Sequence, residues 1–152
     1  MSKPIRIGII GSGGIARAHA RAYKMIPEAE IVAVADIVPG KAAEFIQSQE
    51  LPQAKAFEDY RALLELDLDG VSICTPNVAH HQTSVDSLNA GKHVLVEKPM
   101  SVTLEQAVDM VRASKKSGKM LTVGFQPRYD PNMKILRDIV QSGQLGKVYY
   151  VQ

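Results

Sequence analysis

The chain has 152 residues, 45% of them hydrophobic and 22% charged, a composition that fits one folded domain and excludes a disordered or collagen-like chain. Eighteen basic residues against sixteen acidic ones leave a net charge of +2, and the positive residues are scattered among acidic ones, so no nucleic-acid partner is expected. The single cysteine, Cys74, excludes an internal disulfide and a zinc spacing, and no apolar run approaches the roughly 18 residues of a membrane span; a cytoplasmic protein with no metal and no membrane partner is expected.

The first element is the run Ile5 to Ile10, which reads as a short strand. It leads into Gly11-Ser12-Gly13-Gly14-Ile15-Ala16, a G-x-G-x-x-A turn that opens a helix containing Arg17 to Met25. Further strands are expected at Ile31 to Ala35, Val71 to Cys74, His93 to Val96 and Leu121 to Phe125, each buried on both faces. Between the last two, Thr103 and Gln106 fit a capping box ahead of Leu104, Ala107, Val108 and Val111 at helical spacing, with Gly118 as the stop. Asp130 and Pro131 then open a helix with an inward stripe of Met133, Leu136, Ile139 and Val140, ending near Ser142 before Gly143.

Strands alternating with helices imply an α/β fold with a doubly wound parallel sheet and helices on both faces. Residues 1–126 are expected to form this Rossmann-like dinucleotide-binding domain and 127–146 a connecting loop and helix. Residues 147–152, Lys147 to Gln152, have strand composition and read as the first strand of a second domain that the sequence does not contain.

The glycine turn carries the first functional expectation. Its first glycine permits the tight turn, its second lets backbone amides approach a pyrophosphate, and small Ala16 lets the helix pack close to the strand with its N-terminus toward the anion. Asp36 closes the strand Ile31 to Ala35 twenty residues after Ala16, where a carboxylate accepts the adenosine ribose hydroxyls and repels a 2′-phosphate. Ile37 and Val38 stand where an arginine would favour NADP, so NAD is the expected cofactor, with Lys41 the one nearby cation that could soften the preference. The plainer alternatives are an ordinary strand-to-helix turn and an aspartate that caps a loop.

In such a sheet ligands bind beyond the carboxyl ends of the strands, here Thr75-Pro76-Asn77, Glu97-Lys98-Pro99 and Gln126-Pro127-Arg128. Together G-S-G-G-I-A, C-T-P-N-V-A-H from Cys74, G-K-H-V-L-V-E-K-P from Gly91 and G-F-Q-P-R-Y from Gly124 resemble, in order, the glucose-fructose oxidoreductase, inositol dehydrogenase and rhizopine-catabolism (Gfo/Idh/MocA) family. The resemblance covers the N-terminal half of a typical member, whose C-terminal domain supplies much of the substrate pocket.

What the resemblance implies is specific. Lys98 matches the family lysine beside the nicotinamide and the substrate carbon, where an ammonium stabilises an alkoxide or exchanges the hydroxyl proton; without the family, Glu-Lys-Pro would read as a charged surface turn. Pro99 restricts Lys98 to extended geometry and leaves a cis bond open. Gly11, Ser12, Gly13, Gly14, Ile15 and Asp36 hold the cofactor, as do Thr75, Pro76, Asn77 and His80 along its length and Glu97, Lys98 and Gln126 near its nicotinamide. Glu97 either pairs with Lys98 or holds cofactor hydroxyls. Arg128 either binds substrate with Lys98 or forms a salt bridge that fixes its loop. His81 either faces solvent or packs at a helix start, and Cys74, His19 and His93 read as structural.

The expected function is NAD-dependent hydride transfer to or from a secondary hydroxyl of a sugar, cyclitol or related polyol, by an enzyme that is a homo-oligomer when full length. The chain alone is expected to bind NAD weakly and to turn over little. A non-catalytic NAD-binding regulator and an NAD-dependent glycosidase of the same family stand as alternatives.

Overall fold

The computed structural model describes residues 3–150 and contains one six-stranded sheet in the order β3-β2-β1-β4-β5-β6, parallel throughout. In chain order the elements are β1 (Ile5–Ile10), α1 (Gly14–Lys24), β2 (Ala29–Ala35), α2 (Lys41–Ser48), β3 (Lys55–Phe57), α3 (Tyr60–Leu64) and β4 (Gly70–Ile73). They continue with α4 (Asn77–Asn89), β5 (His93–Val96), α5 (Leu104–Ser117), β6 (Leu121–Val123), a 3-10 turn over Gln126–Tyr129 and α6 (Pro131–Gln141). The strand order reverses between β1 and β4, which opens the crevice in which a doubly wound sheet binds its ligand.

Two apolar layers sandwich the sheet. On one side Ala16 and Ala20 of α1 and Ala42 and Phe45 of α2 pack on Ile9, Ile31 and Val34; on the other, Leu63, Leu64, Leu88, Met110 and Ala113 cover Ile10, Val71, Ile73, Val94 and Val96. The first layer stops short of the far strands. On β5, Val94 and Val96 are buried while His93 and Leu95 are half-exposed, and no strand residue of β6 is buried. The expectation of burial on both faces therefore holds for β4 and fails for β5 and β6, because no helix covers their α1-side face.

Local signals set the helix ends. Thr103 Oγ1 accepts from the Gln106 amide at 3.3 Å, Gly118 ends α5 in the left-handed region at φ 67°, and Asp130 Oδ1 accepts from the Asn132 amide at 2.8 Å ahead of α6. The faces differ from expectation. On α5 the inward residues are Met110 and Ala113, whereas Leu104, Val108 and Val111 are exposed. On α6 Met133, Leu136 and Val140 are exposed, since that helix packs chiefly on the 3-10 turn before it and not on the sheet.

Lys147–Tyr150 forms no strand, because a strand is defined by a ladder partner and the sheet offers none there; Val151 and Gln152 lie outside the described residues. Among the described residues no helix is long and apolar enough to cross a membrane.

Candidate functional site

The glycine turn sits at the carboxyl end of β1. Gly11 has φ +88°, and a Cβ built on it would lie 2.7 Å from the Cys74 carbonyl oxygen and 2.8 Å from the Thr75 nitrogen, so both its backbone angle and its closeness to β4 require glycine. Around Gly13 and Gly14 the space is open to at least 4 Å, and the N-cap of α1, Gly13, offers no side-chain acceptor. The first amides of α1 are therefore left without a side-chain cap at an accessible turn, which is the arrangement that receives a phosphate. Ala16 is fully buried against the sheet, as the small third position requires.

Asp36 lies beside this turn at the end of β2. Its Oδ2 accepts from the Ser12 hydroxyl at 2.7 Å and the Ser12 amide at 2.9 Å, its Oδ1 accepts from the Val38 amide at 3.0 Å, and the Lys41 ammonium stands 3.5 Å from Oδ2. Burial alone would raise this carboxyl's pKa; the Ser12 and Val38 hydrogen bonds and the Lys41 charge outweigh burial and hold it below the usual aspartate value.

A cavity of about 130 Å³ beside Asp36 is walled by Ile37, Glu58, Tyr60, Thr75 and Pro76. Thr75 Oγ1 is buried there with no hydrogen-bond partner among the described residues, an orphan group of the kind a bound ligand satisfies. Glu58 and Tyr60 were not identified from sequence, and Ile37 only as a position without an arginine; Tyr60 is placed by its hydroxyl, which donates to Asp86 at 2.6 Å, and the pull of burial and of Asp86 pushes its pKa up to about 12. A larger cavity of about 370 Å³ lies on the other side of the turn, between α1 and the ends of β5 and β6, with Ile15, His19, Glu97, Gly124, Gln126 and Tyr129 in its wall.

Glu97 forms the floor of that cavity. The residue is 4% exposed, and its Oε1 accepts from Gln126 Nε2 at 3.0 Å and meets His19 Nε2 at 3.0 Å, while Oε2 accepts from the Lys98 amide at 3.2 Å. The far ring nitrogen of His19 lies 3.1 Å from Ser72 Oγ, which is 2.8 Å from the Tyr23 hydroxyl. A polar chain thus runs from α1 through β4 to the ends of β5 and β6. Gly124 makes room for it, since a Cβ there would stand 2.7 Å from Glu97 Oε1.

Glu97 therefore does not pair with the Lys98 ammonium as one expectation had it; it holds the Lys98 backbone. Lys98 itself is exposed, joined to Pro99 by a cis bond, and among the described residues its ammonium has no carboxylate within 4.0 Å.

His80 departs from expectation. It is fully buried, with Nδ1 2.8 Å from the Pro99 carbonyl oxygen and Nε2 2.9 Å from the Thr75 carbonyl oxygen, so neither nitrogen is free for a cofactor and the ring instead braces the end of β4 to the turn after β5. His81 lies 2.7 Å from Asp109 and ties α4 to α5. His93 Nδ1 accepts from the Met120 amide at 3.0 Å, and Cys74 is buried, its thiol pushed up to about 12 by burial and by the Glu97 charge. Asn77 opens α4 in an exposed position. Arg128 is exposed and, among the described residues, forms no salt bridge; it opens onto a cleft shared with Lys134 and Arg137.

The glycine turn, the orphan Thr75 hydroxyl and the acidic Asp36 suit an adenine dinucleotide: amides for the pyrophosphate, a carboxylate for the ribose and an apolar slot for the base. Comparison with known proteins agrees. The sequence pattern described as oxidoreductase family, NAD-binding Rossmann fold, matches residues 5–125. A myo-inositol 2-dehydrogenase from Thermotoga maritima is 34% identical over 149 residues, covering 97% of this chain and 44% of that enzyme. Two solved structures superpose with a TM-score of 0.88 at 30% identity: the WlbA dehydrogenase from Chromobacterium violaceum in complex with NADH and UDP-GlcNAcA, and a 3-ketoreductase from Actinomadura kijaniata in complex with TDP-benzene and NADP. The alignments cover 98% and 96% of this chain against 43% and 46% of those chains. The chain spans less than half the length of the curated relatives it matches.

Proposed function

The chain belongs to the Gfo/Idh/MocA oxidoreductase family through its NAD-binding Rossmann domain, and we propose that it is the nucleotide-binding half of a dehydrogenase acting on a secondary hydroxyl of a sugar, cyclitol or related polyol. The observation that carries this reading is the meeting of an open glycine turn and a part-buried aspartate on one side of the sheet reversal with Lys98, which has no ion pair among the described residues, on the other.

When bound, the nicotinamide supplies the hydride donor or acceptor. The chain's own residues do the rest. Gly13, Gly14 and Ile15 present the free amides of α1 to the pyrophosphate, with Gly11 and Ser12 shaping the turn. Asp36 takes the adenosine ribose and, with Glu58 nearby, disfavours a 2′-phosphate, so NAD is preferred to NADP. Thr75 and Pro76 wall the cavity beside Asp36, and with Asn77 at the start of α4 they carry the cofactor on toward its nicotinamide. Glu97 and Gln126 fix the backbone from which Lys98 projects, and the Lys98 ammonium stabilises an alkoxide or exchanges the hydroxyl proton. Arg128 stands at the substrate side. The single cysteine, buried and protonated, suits a reducing compartment such as the cytoplasm.

Calorimetric titration with NAD and NADP, alongside Asp36→Ala, tests the reading. NAD binding that exceeds NADP binding and weakens in the variant is expected; no binding of either nucleotide overturns it.

A further inference from the structure

We propose that Ser12 is a latch on Asp36: its hydroxyl occupies the carboxylate oxygen that a ribose would take, and so sets how tightly the adenosine half of a dinucleotide binds. This rests on the dinucleotide reading above.

A carboxylate offers about four lone-pair positions. On Asp36 both positions of Oδ2 are filled by the hydroxyl and the amide of Ser12, at 2.7 and 2.9 Å, and one position of Oδ1 by the Val38 amide at 3.0 Å. One position is left, whereas a vicinal diol donating both hydroxyls needs two. Of the three contacts only the Ser12 hydroxyl can be given up by a single bond rotation, because the two amides belong to the backbone. Ser12 is 6% exposed, so no bulk water satisfies its hydroxyl and the bond to Asp36 does. Ligand and hydroxyl therefore compete for Oδ2, exchanging one charge-assisted hydrogen bond for another. Lys41, 3.5 Å away and half-exposed, balances the carboxylate's charge in either state without filling the position.

The test is a double-mutant cycle read by calorimetric titration of NAD into the 152-residue chain. Ser12→Ala is expected to bind NAD about three- to tenfold more tightly than the unaltered chain, and the gain is expected to vanish when Asp36→Asn is present in both partners of the comparison. Ser12→Gly, which removes the same hydroxyl, repeats the measurement should the alanine variant melt early. Unchanged or weaker binding by a folded Ser12→Ala overturns the latch and leaves the dinucleotide reading standing, as does a gain that persists beside Asp36→Asn. Binding by Ser12→Ala alone supports the latch in its strongest form. Binding by neither chain overturns both.

Discussion

His19 and Glu97 stand 78 positions apart in the chain and meet with Nε2 3.0 Å from Oε1, both side chains at least nine-tenths withdrawn from water. The contact joins the helix that follows the glycine turn to the strand end that carries Lys98. His19→Leu leaves a buried carboxylate short of one partner, and the expected cost is about 1–3 kcal/mol of stability. Urea unfolding checks it, and adding Glu97→Gln to His19→Leu is expected to return part of the loss, because the orphaned charge is then gone.

Gly124 tests the same network by steric means. Its φ is not in the left-handed region, so alanine there is resisted by contact alone: the new Cβ would stand 2.7 Å from Glu97 Oε1. Gly124→Ala is expected to cost about 1–3 kcal/mol by displacing the carboxylate from His19 and Gln126. The readout is the urea midpoint, and pairing the substitution with Glu97→Ala should remove most of the penalty.

Asp36 gives the chain an acid-side dependence of known sign. Its folded pKa lies below the ordinary value of 3.8, so below that value the unfolded chain binds more protons than the folded one. The stability it contributes is complete above the unfolded value and is lost as pH falls through the folded one. The difference in unfolding midpoint between the unaltered chain and Asp36→Asn should therefore be flat above about pH 5 and shrink below about pH 4. A difference independent of pH would contradict this.

Cys74 provides a clean probe of folding. With its pKa pushed up to about 12 and its side chain buried, the thiol is both protonated and shielded at neutral pH. Alkylation by iodoacetamide is expected to be negligible in buffer and rapid in denaturing urea, and since the chain has one cysteine the rate reports directly on opening of the β4 region.

The glycine turn and the caps at Thr103 and Asp130 were legible in the sequence because each is a local device, complete within a few residues, and Asp36 because it closes a strand at a set distance from that turn. β3 was not, since Lys55–Phe57 is too short to show a period. On α5 two helical stripes compete, and the more apolar one, Leu104, Val108 and Val111, is the one left outside; the inward stripe of Met110 and Ala113 carries Ser114 beside it, satisfied by the Lys119 carbonyl at 2.7 Å. That His80 braces the turn after β5 was not legible, because Thr75 is a near neighbour in sequence but Pro99 comes within reach only once β4 and β5 pair. The Glu97 network, with partners on α1, β4 and the turn after β6, has no sequence signature at all.

The eleven residues of α6 rest chiefly on a four-residue turn. A helix of that length is marginal in water on its own, whatever its caps. Its helicity is thus on loan from its surroundings: backbone amides from Ile135 to Val140 should exchange with solvent near the free-peptide rate, while those of β1 and β4 exchange only through global opening. Any slowing measured in that stretch, with nothing else in the molecule changed, would count the fraction of time that new apolar surface lies against Met133 and Leu136.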